Sequence, residues 1–189
     1  SGAASLRINP SATTQAARMT FQADTINTTF HRFYIYIASA TIANGKAIYT
    51  YQDSASGNGW SVRMDTNRSL VLYNEAGANQ VGSNSSALAL NTWYCIEVRY
   101  VDSAEATAEL SCRIDGAAAF ASSTTETGIN GGGQVRIGAD VTQTCDLYFD
   151  DIAINDSTGS YQNSWPGEGS IVHLQPNAAG DNNGWLKSG

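Results

Sequence analysis

The chain has 189 residues, 17 of them acidic and 10 basic, with a formal net charge of -7 and only Lys46 and Lys187 as lysines. That length suits one domain of sandwich size with room for a short extra segment. There is no basic stripe of the kind that nucleic acid requires, the acidity opposes anionic membranes, and no apolar run reaches the roughly 18 residues needed to span a bilayer.

Alternation of apolar and polar residues dominates, with little sign of a helical period. In chain order it predicts strands over residues 5–9, 17–22, 32–38, 47–52, 60–65, 69–74, 92–101, 106–115, 134–139 and 147–154. Turn clusters punctuate them, among them Ala43-Asn44-Gly45, Ser56-Gly57-Asn58-Gly59, Asp65-Thr66-Asn67 and Asp115-Gly116. Many short strands spaced in this way imply an all-β, two-sheet antiparallel jelly-roll sandwich. The strands at 60–65 and 69–74 should form one hairpin, and those at 92–101 and 106–115 a longer one. Trp60, Val62, Met64, Leu70 and Leu72 form the apolar face of the first; Ile96, Val98, Tyr100, Leu110, Cys112 and Ile114 form that of the second. The opposite faces carry Arg63, Tyr73, Glu97, Arg99, Glu109 and Arg113. Gly131-Gly132-Gly133 breaks the chain before a further pair of strands, which residues 140–144 should join as a polar turn into a closing hairpin. Beyond Asp156 the alternation fades, so residues 1–156 read as the domain. Residues 157–189 read as a polar tail, or as the start of a further module in a longer parent chain.

Cys95, Cys112 and Cys145 form no C-x-x-C pair, and an odd count leaves at least one thiol free. They read as packed or surface thiols, and His31 and His173 as surface or loop residues distant from any zinc-like spacing. No basic and then apolar leader opens the chain, which suggests a mature protein, an excised domain or an interior fragment.

Several pieces, taken in order, resemble a known family. Trp93-Tyr94-Cys95-Ile96-Glu97-Val98 opens a long strand, and its hairpin partner ends in Asp115-Gly116. Val135-Arg136-Ile137-Gly138 and Tyr148-Phe149-Asp150-Asp151-Ile152-Ala153-Ile154 come next. The pattern resembles the laminin-G-like branch of the concanavalin A-like lectin/glucanase fold over roughly residues 3–156. The stretch from Asn155-Asp156-Ser157 through Trp165-Pro166-Gly167 to Trp185 resembles the segment that succeeds such domains in virion proteins of tailed bacteriophages and prophages.

The resemblance raises three chemistries. Glucanases of this fold carry carboxylates alternating on one strand, and the i,i+2 spacing of about 6.6 Å suits them. No two acids in this chain are spaced i,i+2, and Asp146 and Asp150 would lie about 13 Å apart along a strand, so the chain is expected not to be an enzyme. Calcium is the second chemistry: Asp150 and Asp151 offer two carboxylates, with Asp140, Asp146 and Asn155 near in sequence. Adjacent strand residues point to opposite faces unless a bulge intervenes. In relatives of this pattern one such acid commonly ties down backbone amides or a neighbouring arginine, so a structural role is preferred and no cofactor is expected, with Ca²⁺ as the alternative. Sugar binding is the third. Tyr34, Tyr36, Arg63, Tyr73 and Arg99 share the parity of the less apolar face and could line a groove, although such residues also simply cover half-exposed sheets. The N-x-[ST] matches at Asn27, Asn67, Asn84 and Asn155 matter only in a eukaryotic source.

The resulting expectation is a non-enzymatic virion module, serving in structure, decoration or tail adhesion. Its partners would be other virion subunits or a cell-surface glycan, and it would be oligomeric within an assembly. The alternative is a secreted, extracellular carbohydrate-binding module attached to a larger protein.

Overall fold

The computed structural model describes residues 5–20, 28–42, 45–53, 57–102, 107–127, 129, 133–161 and 163–168. Among them are eleven strands: β1 (Leu6–Ile8), β2 (Ser11–Thr20), β3 (Thr28–Thr41), β4 (Lys46–Gln52), β5 (Gly59–Met64), β6 (Leu70–Asn74), β7 (Asn79–Val81), β8 (Trp93–Asp102), β9 (Thr107–Ile114), β10 (Ala121–Thr127) and β11 (Gln134–Asp156). All pairings are antiparallel. The all-β expectation holds, as do both hairpins, β5–β6 and β8–β9.

One layer runs β1–β11–β3–β8–β9–β10 and uses the C-terminal half of β11. The other runs β2–β11–β4–β5–β6–β7 and uses its N-terminal half. The expected closing hairpin is therefore not formed: its two strands are one continuous strand shared between the layers. The polarity of residues 140–144 suggests a turn. The chain instead stays extended there because β2 accompanies it, pairing Gln143 with Thr13 and Thr144 with Ser11, while Thr144 also meets Thr41 of β3. Bulges on either side of Gln143 accommodate the change of layer. The strand pair β1–β2 makes the same crossing at Pro10, whose carbonyl accepts from Cys145 N at 3.2 Å.

The core lies between the layers. Phe33 of β3 stacks on Tyr49 of β4 with ring centres 4.5 Å apart, and Tyr51 meets Tyr100 of β8 at 6.0 Å. These strands are not sheet neighbours, so the contacts bridge the sandwich. At the far edge Glu126 of β10 accepts from Asn74 and Asn79, at 2.9 and 3.0 Å, which draws the rim of one layer onto the other.

His31 is in this core, not at the surface or in a loop, because its parity matches Phe33 and Ile35 on β3. Its ring meets Tyr51 and Trp60 at 4.6 and 4.8 Å. Its Nδ1 lies 2.8 Å from the Tyr49 hydroxyl and its Nε2 lies 3.0 Å from the Thr29 hydroxyl, partners that a neutral imidazole can satisfy. Burial lowers its pKa from the ordinary 6.5 to about 3.

Both the buried imidazole and the strand crossing have measurable consequences. Unfolded chains protonate His31 below its ordinary pKa while the folded chain resists, so this residue's contribution is complete above pH 6.5 and is lost as the pH falls toward 3. Urea unfolding between these limits should show a slope of about 1.4 kcal/mol per pH unit from this group, flattened in His31→Gln. Gly138, at φ +106° where β11 begins its crossing, has room for no side chain: a Cβ would lie 2.8 Å from the Gln15 carbonyl oxygen. Gly138→Ala should lower stability by more than about 1 kcal/mol in the same measurement.

Candidate functional site

Strand register arranges the outer face of the first layer in rows. Arg7, Tyr148, Tyr36 and Trp93 lie side by side across β1, β11, β3 and β8. Tyr36 lies 5.4 Å from the half-exposed Trp93 ring and 5.7 Å, edge-on, from Tyr148. The Tyr36 hydroxyl donates to Asn91 Oδ1 at 3.1 Å. Arg7 reaches over Tyr148 and grips Asp146 through two 2.9 Å bonds, which hold that carboxyl below its usual range.

A second row, Arg32–Glu97–Arg113, is covered by the Trp165-Pro166-Gly167 segment. Arg113 stacks over Trp165 at 4.2 Å, and Trp165 lies edge-on to Phe30 at 5.9 Å. Glu97, although fully buried, accepts from Gly167 N and Arg113 Nε, each at 2.6 Å. Arg32 donates to the Gly167 carbonyl at 3.1 Å and also grips Asp151 at 2.7 Å.

Asp150 and Asp151 sit at a bulge between β11 and β3, where Asp151 takes φ +48°. Asp150 Oδ1 accepts from the Asp151 amide at 2.8 Å. The two carboxylates thus engage backbone and arginine, and no group of three or more His, Cys, Asp or Glu is placed to hold a metal among the described residues. The three cysteines are free and buried. Burial pushes Cys95 and Cys145 up to about 11 and Cys112 higher, which removes thiolate chemistry at neutral pH. His173, Asn27 and everything after residue 168 lie outside the described residues.

The outer face of the second layer is different. Its central row runs Arg18, Arg136, Thr50, Ser61, Tyr73 and Gln80. Flanking it, Gln134 lies opposite Gln52, and Ala47 opposite Arg63. A cleft of about 290 Å³ opens here, lined by Lys46, Thr50, Gln52, Arg63, Glu75 and Arg136 together with Gly45, Ala47 and Gly57. Its sheet residues are buried yet polar: Thr50 is 5% exposed and Gln52 7%, with Ser61 and Gln134 beside them, also buried. Arg63 is held in three ways. It lies 3.4 Å over the Tyr73 ring, meets Glu75 at 2.6 and 3.1 Å, and reaches the Gly45 carbonyl at 3.4 Å. Ser61 donates to the same Glu75. Arg136 Nε donates to Gln134 Oε1 at 2.8 Å. A bulge in β4 between Ala47 and Tyr49 lets Ala47 and Thr50 share the outer face while Ile48 and Tyr49 stay in the core.

The five residues expected to line one groove are therefore divided. Arg63 and Tyr73 touch at the cleft, whereas Tyr34, Tyr36 and Arg99 lie on the other layer, where Arg99 pairs with Glu109 at 2.8 Å. Parity identifies an outward residue but not the layer to which its strand belongs. The cleft residues that sequence reasoning missed are Lys46, Thr50, Gln52, Glu75 and Arg136. A usable signal was present, since Thr50 and Gln52 place polar groups at the outward positions of a strong strand.

No family model and no curated protein matches the chain. Solved structures do. An endo-β-1,4-glucuronan lyase from the fungus Trichoderma reesei matches with TM-score 0.57 at 13% identity, over 82% of each chain. The fold is a jelly-roll sandwich of the concanavalin A-like kind. A Trypanosoma rangeli sialidase matches at TM-score 0.61 and 11% identity, over 79% of this chain and 25% of its own. Botulinum neurotoxin type C, whose cell entry depends on interaction with two ganglioside molecules, matches at 0.56 and 16%, over 78% of this chain and 38% of its own. At these identities the likeness establishes architecture alone.

These matches overturn the expectation that the chain is not an enzyme. Enzymes and binding domains share this sandwich, and the i,i+2 carboxylate test addresses only hydrolysis by paired acids. A lyase breaks its bond by elimination and needs no such pair, so the missing spacing excludes one chemistry and not catalysis as a whole.

Two substitutions test the contacts on the first layer. Glu97→Ala leaves Arg113 and the Gly167 amide without their acceptor and should cost about 2–3 kcal/mol by denaturant unfolding. Asp151→Ala should cost about 0.5–1 kcal/mol, with the same loss in Ca²⁺ and in chelator.

Proposed function

We propose that this domain binds a glycan in the cleft on the outer face of the β2–β11–β4–β5–β6–β7 layer. The observation that carries the reading is the cleft's lining, where the Thr50 hydroxyl and the Gln52 amide border an open hollow beside Lys46, Arg63 and Arg136. Sugars present hydroxyls in fixed directions, and a few pre-placed polar groups in a concave site are what orient them. Arg63, clamped between Tyr73 and Glu75, adds a donor whose position is set before ligand arrives. Neighbours of the same architecture support the reading: one acts on glucuronan and another interacts with gangliosides.

We also propose an extracellular or virion setting, in an oligomeric assembly, supported by the likeness of the sequence from Asn155 to Trp185 to the segments that succeed such domains in phage virion proteins. A gene placed among virion structural genes would agree with it; a gene remote from any would remove its support.

The binding reading is tested on a glycan array with the isolated domain, and then by titration of the best ligand. Thr50→Val with Gln52→Leu should weaken that ligand by about tenfold or more at an unchanged melting temperature. Absence of binding to every arrayed glycan overturns the proposal. Chromatography of the incubated ligand reports any cleavage.

A further inference from the structure

We infer that the ligand of this cleft is an acidic sugar whose carboxylate is seated among Lys46, Arg63 and Arg136, an inference that rests on the glycan-binding reading above. The first support is charge. The chain is acidic, with a net charge of -7 and only 10 basic residues, yet three of those 10 line one cleft against a single carboxylate, Glu75. Glu75 is already gripped by Arg63 and Ser61. Of the acids at the rim, Asp65 accepts from the Gly45 amide at 2.9 Å and from Asn84 at 2.7 Å, and Asp53, next to Gln52, accepts from the Gly57 amide through its backbone carbonyl at 3.0 Å.

The second support is the strand register. Arg18 of β2 lies directly opposite Arg136 of β11, on the same face. Like charges placed directly opposite on a sheet repel each other. An anion placed between two such guanidinium groups relieves their repulsion. Arginine suits the purpose, because its planar fork matches a carboxylate with two parallel bonds. Arg63 and Arg136 sit on strands of a rigid sheet, and each is oriented by a neighbour, Glu75 and Gln134 respectively. Thr50 lies opposite Arg136 and Gln52 opposite Gln134, so hydroxyl-binding groups are set beside the cations on the same surface.

The test titrates the domain with oligoglucuronate and with sialyllactose, each beside its carboxyl-reduced counterpart, and with a sulfated neutral oligosaccharide. Binding of either acidic sugar, lost at least tenfold on carboxyl reduction and weakened by salt, supports the inference and names the acid. Arg136→Gln and Lys46→Gln should each reproduce that loss. Neither substitution should alter the residual binding of the carboxyl-reduced sugars, an outcome that a purely structural residue would not give. Equal binding of the carboxyl-reduced sugars, or binding of the sulfated sugar alone, overturns the inference while leaving glycan binding intact. Failure of every sugar, on this panel and on the array, overturns both.

Discussion

β11 hydrogen-bonds into both layers of the sandwich, and the positions of the other strands depend on that double membership. Its N-terminal half lies between β2 and β4, and its C-terminal half between β1 and β3. Because side chains alternate along a strand, one continuous β11 sets the inward and outward parity of both sheets at once. The bulges near Gln143 and the tight passage at Gly138 are the local cost of the crossing. In return the apolar faces of the two layers meet, and Phe33, Tyr49, Tyr51, Trp60 and Tyr100 pack across the gap around the neutral His31.

With the inner faces committed to the core, chemistry is left to the outer ones, which the chain has furnished differently. The first layer outside is aromatic and ion-paired, and part of it is closed by Trp165 and Gly167 over a buried Glu97. The second is a polar cleft that concentrates cations in an acidic protein. The first layer keeps a hollow of about 410 Å³ at Tyr36, Ala38, Trp93 and Tyr148, but the second sets cations beside polar groups in one cleft, which is why ligand chemistry is assigned to the second.

Much of this is legible in the sequence. Period-2 alternation marks the strands, and the apolar faces of β5–β6 and β8–β9 emerge residue by residue. The departures arise where a local pattern has two possible meanings. Residues 140–144 are polar because they pass the sandwich corner beside β2, and a polar run looks the same whether it turns or crosses. His31 is polar by type, but its parity with Phe33 and Ile35 outweighs that. Asp150 and Asp151 stand out as a conflict within an apolar run, and the bulge that reconciles them depends on pairing with β3.

The candidate site shows the same division. That Arg63 and Tyr73 point outward comes from alternation, since parity is a property of a strand by itself. That Arg63 joins Lys46 and Arg136, and not Tyr34, Tyr36 or Arg99, comes only from which strands lie side by side. The sequence determined the all-β class, the strand faces and the overall charge, because these depend on near neighbours along the chain. The tertiary structure decided which outward residues share a surface, because β11 brings together strands that are far apart in the chain, and no local pattern encodes that meeting.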